Sequence, residues 1–301
     1  MNPLNDLLGI ITVLNTPFTP SDALDIPALQ KNIRLAVDAG VKGFLVPAMA
    51  SEVAKLTESE KKELVIKAVE ACDGQAAVIG GTSAASLDDM CRLAESNMKA
   101  GCTGILANIP FENESEYTKA VTRINSLRPE FLMLQDWDAS GYGLPLPLIL
   151  SLFREFPSFK CLKIETVPAG AKYSEVLKIT EGKLHLSGGW AVTQMLEGLE
   201  RGVHAFMPTG MHIIDCRIYD LFKRGMKEES RILFERLIPV LAFSNQHLDI
   251  SIHFFKRLLW KQGVYATSAV RKPILPFDEI HKREADYHIN KIMEIEKSLR
   301  A

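Results

Sequence analysis

The feature that most constrains the fold of this chain is the alternation of short apolar runs with longer amphipathic stretches. Eight apolar runs are typical of buried parallel strands, and they cover residues 9–14, 43–46, 76–80, 104–107, 131–134, 161–164, 185–187 and 205–207. Apolar residues at helical spacing occupy stretches between these runs, among them residues 26–39, 59–71, 86–100, 146–156 and 192–201. Repeated strand–helix units predict an α/β protein with a parallel sheet.

A weak internal repeat supports this pattern. Gly40, Gly101 and Gly202 each stand where a helix would end in the left-handed conformation before the chain enters the next strand. An open doubly wound sheet would share the alternation, but no GxGxxG follows the first strand and no other glycine-rich phosphate loop is present. The sequence therefore predicts a (β/α)8 TIM barrel.

The strand pattern stops after about residue 210. Helical patterns follow over residues 214–224, 228–242, 247–262 and 277–298, and Pro273 and Pro276 interrupt them between the last two. We expect residues 1–210 to form the barrel core and residues 211–301 to form the last barrel helix and a C-terminal helical extension. No low-complexity linker separates the two parts, so the extension is expected to pack on the barrel.

Composition and charge limit the classes of partner. The formal net charge is -2 with both signs interspersed, which leaves no basic stripe for nucleic acid and no polybasic patch for anionic lipid. Neither a secretory leader nor an apolar run of membrane-spanning length is visible. The five cysteines are scattered without a CxxC or Cys/His pairing. We expect a soluble, cytoplasmic protein that binds a small molecule, without nucleic acid, membrane or metal.

The sixth apolar run contains a lysine where a barrel carries its reactive groups, at the C-terminal end of a strand. Strand alternation predicts that Leu162 and Ile164 face the helices, whereas Cys161, Lys163 and Glu165 face the barrel interior. Partial desolvation there would favour the neutral amine, which is the nucleophile. A lysine that is merely paired with Glu165 is the competing interpretation.

Three groups of residues, in this order, carry a resemblance to a known family. They are Thr16-Pro17-Phe18 after the first strand, Glu52 with Lys55-Leu56-Thr57 and Glu60 after the second, and Lys163-Ile164-Glu165 on the sixth. With the helical extension, this set resembles the dihydrodipicolinate synthase and N-acetylneuraminate lyase family of class I aldolase-type barrels. The resemblance implies that Lys163 forms a Schiff base with a 2-keto acid such as pyruvate or a keto sugar acid. It also implies no metal or organic cofactor and a homo-oligomer, commonly a tetramer.

Two loops depart from the family pattern. Where the family has Gly-Thr-Thr-Gly-Glu to hold the keto-acid carboxylate, this chain has Ala48-Met49-Ala50-Ser51-Glu52. Where the family has a proton-relaying tyrosine, this chain has Gln135, which can form hydrogen bonds but cannot titrate. The arginine that dihydrodipicolinate synthases carry next has no counterpart in residues 139–141, which argues against a role in lysine biosynthesis.

The Gln135-Asp136 pair, Lys163-Ile164-Glu165, Gly188-Gly189-Trp190 and Arg271-Lys272-Pro273 resemble the branch that contains 2-keto-3-deoxy-L-arabonate dehydratase. This resemblance implies dehydration of a 2-keto-3-deoxy sugar acid, with an imine on Lys163 and with Glu165 as acid and base. We expect the catalytic group to be Lys163, Glu165 and Gln135. Gln135 and Ser51 would hold substrate oxygens, and the substrate pocket would include Ala50, Gly188, Gly189 and Trp190.

Alternative functions stay open at this point. A pyruvate-dependent aldolase or a dihydrodipicolinate synthase-like condensing enzyme would use water or Tyr142 in place of the missing relay. A barrel that binds keto acids without catalysis would account for the altered loops. Within the site, Glu165 could simply neutralise Lys163, Ser51 could cap a helix or meet solvent, and Trp190 could be core packing.

Other polar residues are given structural interpretations. Asp136 and Asp138 are spaced like metal ligands but lack partner histidines, so a polar loop is preferred. The histidines after residue 210, which are His212, His247, His253 and His281, are expected to lie in the extension, away from the strand ends.

Overall fold

Eight parallel strands close into a barrel in the computed structural model, which describes residues 4–300 except for the side chain of Ala191. They are β1 (Gly9–Val13), β2 (Gly43–Val46), β3 (Ala77–Gly81), β4 (Gly104–Ala107), β5 (Leu132–Asp138), β6 (Phe159–Thr166), β7 (His185–Gly188) and β8 (Ala205–Phe206). Strands adjacent in sequence are adjacent in the sheet, and β8 pairs with β1 to close it. The predicted (β/α)8 barrel is confirmed.

One helix follows each strand. These helices are α1 (Ile26–Asp38), α2 (Glu58–Cys72), α3 (Leu87–Lys99), α4 (Glu114–Asn125), α5 (Leu146–Glu155), α6 (Ala169–Ile179), α7 (Met195–Arg201) and α8 (His212–Lys223). The sequence predicted that α1, α3 and α7 end at glycines in the left-handed conformation. This is confirmed, because Gly40, Gly101 and Gly202 have φ values of 97°, 95° and 91°. The left-handed conformation costs glycine least, so the chain turns back to the sheet there.

The predicted strand alternation is also confirmed. Cys161 belongs to the apolar cluster that fills the barrel interior, together with Ile11, Leu45 and Met133. Leu162 and Ile164 belong to the separate cluster between the strands and the helices. The side chains of Lys163 and Glu165 therefore point into the barrel mouth.

Strands β5 and β6 extend further than the apolar pattern predicts. They contain seven and eight residues, because polar residues past Leu134 and Ile164 continue the ladder. Gln135 pairs in register with Lys163, and Trp137 pairs with Glu165. The extended pair of strands supports these side chains on rigid backbone above the barrel core.

Four further helices form the extension: α9 (Lys227–Glu235), α10 (Ile238–Ser244), α11 (Leu248–Lys261) and α12 (Glu279–Arg300). The expectation of one helix over residues 228–242 is wrong, because Pro239 lacks the N–H that a continuous helix requires and instead stands in the first turn of α10. A boundary near residue 210 remains our proposal, and residues 1–3 and 301 of its two parts lie outside the described residues. Within residues 4–300, no helix combines the length and the apolar character that crossing a bilayer requires.

Charged side chains link the extension to the barrel. The Lys256 ammonium on α11 donates to Glu52 Oε1 at 2.6 Å, and both side chains are fully buried. The Arg271 guanidinium binds both oxygens of Glu60 at 2.7 and 2.9 Å. Both cations also lie against the ring of Phe18, at 4.2 and 4.3 Å from its centroid. The expected packing of the extension on the barrel is therefore confirmed.

Candidate active site

A cavity opens at the C-terminal ends of the strands. Its barrel wall includes Val13, Ala48, Met49, Ala50, Trp137, Lys163, Glu165, Trp190, Met207 and Thr209, and its second wall consists of Asn245, His247, Leu248 and Ser251. The second wall belongs to the extension, because the chain between α10 and α11 folds back over the barrel mouth. The expectation that His247 lies away from the strand ends is therefore wrong.

Lys163 lies at the bottom of this cavity. It is 5% exposed, between Gln135 of β5 and Ser187 of β7 in the sheet register. Its Nζ donates to Glu165 Oε2 at 2.8 Å. Pairing with Glu165, the interpretation left open by the sequence, is thus present in the resting site, and the amine still borders the cavity.

Glu165 accepts hydrogen bonds on both of its carboxylate oxygens. Oε2 accepts from Lys163 and, at 2.5 Å, from Gln135 Nε2, whereas Oε1 accepts from the main-chain N–H of Trp190 at 3.0 Å. Burial alone would raise the pKa of this carboxyl, but the Lys163 ammonium and the three hydrogen bonds outweigh it, and the net effect is a lowered pKa. The resting residue is therefore a carboxylate that can accept a proton.

Gln135 and Gly189, which follows β7, position this carboxylate. Gln135 is 5% exposed, and its amide donates to Glu165. A Cβ on Gly189 would lie 2.1 Å from Glu165 Oε1, so only glycine lets the carboxylate lie against β7. A Cβ on Gly188 would lie 2.8 Å from Phe206. Trp190 is 44% exposed at the cavity edge, which differs from the core-packing alternative.

Ser51 shapes the loop after β2 from a fully buried position. Its Oγ donates to the carbonyl oxygen of Leu14 at 2.5 Å and accepts from the N–H of Ala48 at 2.9 Å. Thr16 Oγ1 donates to the carbonyl oxygen of Ser51 at 2.6 Å. The Ser51 hydroxyl is thus engaged with main chain, while Ala48, Met49 and Ala50 border the cavity.

The polar residues after Gln135 lie outside the cavity. Asp136 points away from the barrel axis and pairs with Lys172 of α6 at 2.5 Å, where both side chains are buried. Tyr142 donates its hydroxyl to Glu175 on the outer side of α6, so this tyrosine is not close to Lys163. The described residues contain no cluster of three or more His, Cys, Asp or Glu side chains suited to a metal ion.

Sequence reasoning missed Thr209 and the polar groups of the second wall. Asn245 Nδ2 is buried without a hydrogen-bond partner among the described residues, and Ser251 and the buried Thr209 line the same cavity. The polar stretch at residues 245–247 was visible between two helical patterns. Nothing local in the sequence indicates that this stretch returns to the barrel.

Comparison with known proteins agrees with this architecture. Residues 6–292 match the model of the Dihydrodipicolinate synthetase family. L-2-keto-3-deoxyarabonate dehydratase from Azospirillum brasilense is 25% identical over 284 residues, which cover 91% of this chain and 89% of the relative. 4-Hydroxy-tetrahydrodipicolinate synthase from Methanoculleus marisnigri is 27% identical over 281 residues, covering 90% and 94%.

A crystal structure of dihydrodipicolinate synthase from Rhodopseudomonas palustris superposes with a TM-score of 0.89 and 21% identity, covering 97% of this chain and 99% of that one. At this identity the superposition supports the fold, and the family model supports the relationship. The chain belongs to the dihydrodipicolinate synthetase family, whose members are lyases.

Proposed function

We propose that this protein forms a Schiff base between Lys163 and a 2-keto-3-deoxy sugar acid and eliminates water from that acid. One observation carries the proposal: the Lys163 amine borders the cavity and is paired at 2.8 Å with a buried carboxylate, Glu165. The two groups that imine formation and proton transfer require are therefore adjacent. The similarity to a keto-deoxyarabonate dehydratase points in the same direction.

The substrate carboxylate would bind to main-chain N–H groups of the loop after β2. The N–H groups of Met49 and Ala50 open a short 3₁₀ turn and have no acceptor within that turn. Both residues border the cavity. This arrangement would take the place of the missing threonine hydroxyls. It also gives Ser51 a positioning role, because its buried hydroxyl fixes the loop.

The chemical steps follow from this placement. Lys163 gives its extra proton to Glu165, attacks C2 of the keto acid and forms the protonated imine with loss of one water. Glu165 is again a carboxylate once its proton has left with that water. It then removes a proton from C3, which gives the enamine, and delivers the proton to the C4 hydroxyl, which leaves as a second water. Hydrolysis of the unsaturated imine consumes one water and frees Lys163.

The distal hydroxyl groups of the substrate would contact the second wall and Thr209 of the barrel wall. Thr209, Asn245 and Ser251 bring hydroxyl and amide groups to the cavity that contains Lys163. An unpaired donor such as Asn245 Nδ2 is costly when buried, so a substrate oxygen is a favourable partner. Gln135 would act through Glu165, since its amide donates to that carboxylate.

Borohydride reduction in the presence of pyruvate tests the imine. We expect one pyruvate adduct on Lys163, located by peptide mass, and no adduct in a Lys163→Met variant. Lys172 and Lys256 are matched internal controls, because both are buried but are paired outside the cavity. The absence of an adduct at Lys163 would refute the proposal and favour a barrel that binds keto acids without catalysis.

Product analysis separates the two reactions. With 2-keto-3-deoxy-L-arabonate, dehydration yields 2-oxoglutarate semialdehyde after tautomerisation, whereas a retro-aldol reaction yields pyruvate. We expect the semialdehyde. Release of pyruvate would instead establish the aldolase alternative. Assembly into a homotetramer stays a prediction, which light scattering coupled to size-exclusion chromatography would check.

A further inference from the structure

A second cavity lies on the other side of Glu165. It lies between the ends of β6 and β7 and the start of α6. Three residues, Trp137, Glu165 and Trp190, line both this cavity and the one that contains Lys163. The proposed proton carrier therefore lies at the boundary between two spaces.

The two oxygens of Glu165 are bonded on different sides of this boundary. Oε2 is bound by Lys163 and Gln135, whereas Oε1 accepts from the N–H of Trp190. Gly189, which lines the second cavity, is the glycine whose Cβ would collide with Oε1. A carboxylate oxygen can accept more than one hydrogen bond, so Oε1 can bind a further donor there.

The second cavity has a buried polar group inside and an open outer end. Thr166 lines it and is 5% exposed, and its Oγ1 has no hydrogen-bond partner among the described residues. Val167 is 62% exposed, and Thr193, which lines the same cavity, is also exposed. Buried hydroxyls without a protein partner are commonly satisfied by ordered water. The chemistry of the lining thus fits water.

The proposed reaction requires water to move while the first cavity is occupied. Imine formation and elimination each release one water, and hydrolysis of the product imine consumes one. During these steps the substrate is attached to Lys163 and its distal hydroxyls fill the space towards Asn245. We infer that the second cavity is a water-filled path through which Glu165 exchanges protons and water with solvent. This inference rests on the proposed function, since it needs Glu165 as the proton carrier.

Deuterium exchange at C3 of 5-hydroxy-2-oxopentanoate tests the path, because this keto acid keeps a distal hydroxyl but lacks the C4 hydroxyl that would leave. In D₂O, Glu165 removes a C3 proton from the imine, exchanges it with solvent and returns a deuteron, which NMR follows. We expect Thr166→Val to slow this exchange about fivefold, as for loss of one neutral hydrogen bond. Thr166→Ser keeps the hydroxyl and should exchange within about twofold of the unmodified protein. Borohydride trapping at Lys163 should proceed at the same rate in all three.

The outcomes separate this inference from the proposed function. If the unmodified protein traps no pyruvate, the proposed function fails and the inference falls with it. If trapping is intact and Thr166→Val exchanges at the unmodified rate, only the water path is refuted. A crystal structure of the pyruvate imine should show ordered water bonded to Thr166 Oγ1. In a complex with a longer keto acid, substrate carbons in the second cavity would make it a substrate subsite and overturn the path.

Discussion

Replacing Glu165 by glutamine should separate imine formation from dehydration. The substitution keeps the shape of the side chain but removes the charge 2.8 Å from Lys163 Nζ. An amide placed with its oxygen at the Oε1 position still accepts from the N–H of Trp190. Its NH₂ group then faces Lys163 and Gln135, where a neutral amine and a rotated Gln135 amide can both accept. The hydrogen bonds of the site can therefore be kept, so we expect the variant to fold.

The expected loss in rate follows from the role of the carboxylate. A positioned acid or base contributes about 10²–10⁴-fold, and here one carboxylate performs both the C3 deprotonation and the C4 protonation. We expect Glu165→Gln to lower kcat for dehydration by about 10³-fold, while pyruvate is still trapped on Lys163.

Three measurements decide this prediction: borohydride trapping, steady-state dehydration and exchange at C3 in D₂O. Glu175→Gln is the matched control, because Glu175 accepts a hydrogen bond from Tyr142 on the outer side of α6. The control should dehydrate at the unmodified rate. If Glu165→Gln retains more than about a tenth of the dehydration rate, another group transfers the protons and our assignment is wrong. If the Glu165→Gln variant is folded but traps no pyruvate on Lys163, Glu165 is instead needed to position Lys163.

Three further predictions concern the extension and the cavity wall. Lys256→Met should lower the free energy of unfolding in urea by about 3 kcal/mol, because it leaves Glu52 buried without its closest cation. Burial lowers the pKa of Lys256 from 10.5 to about 8, so the folded state binds this proton less tightly than the unfolded state does. The free energy of unfolding of the unmodified protein, relative to that of Lys256→Met, should therefore rise between about pH 8 and 10.5. A difference that does not change with pH would contradict this. Asn245→Ala should raise KM for the keto-deoxy acid about tenfold with a smaller change in kcat, whereas equal trapping and an unchanged KM would exclude its contact with substrate.

The strand–helix alternation, together with the lack of a glycine-rich phosphate loop, predicted the barrel, and the residue alternation within the sixth run predicted the direction of Lys163. Period-two patterning determines which face of a strand is buried, so the inward positions of Cys161, Lys163 and Glu165 follow from the sixth run alone. The lengths of β5 and β6 do not follow from it. The polar ends of these strands are held by backbone pairing with the neighbouring strand and not by burial of apolar side chains. A hydrophobicity pattern does not indicate such pairing.

Long-range contacts account for the rest of what the sequence did not reveal. The hydroxyl of Ser51 bonds to Leu14, 37 positions away, and Asn245 of the extension lines a cavity together with Lys163 of β6. Such contacts depend on how the helices pack around the barrel. Local secondary-structure propensity does not predict such contacts, which is why His247 was expected to lie away from the strand ends.

The residues that resemble the family and the residues that depart from it have different tasks in this structure. Phe18, Glu52 and Glu60 bind the cations of Lys256 and Arg271, so these shared residues fix the extension over the barrel mouth. The departures lie at the cavity or next to it, where Ala48, Met49 and Ala50 line it and Gln135 bonds to Glu165. The shared residues thus support the architecture around Lys163, and the departures change the groups beside it. We expect substrate choice to depend on Gln135 and on the second wall, so that exchanging either should alter the substrate range without unfolding the barrel.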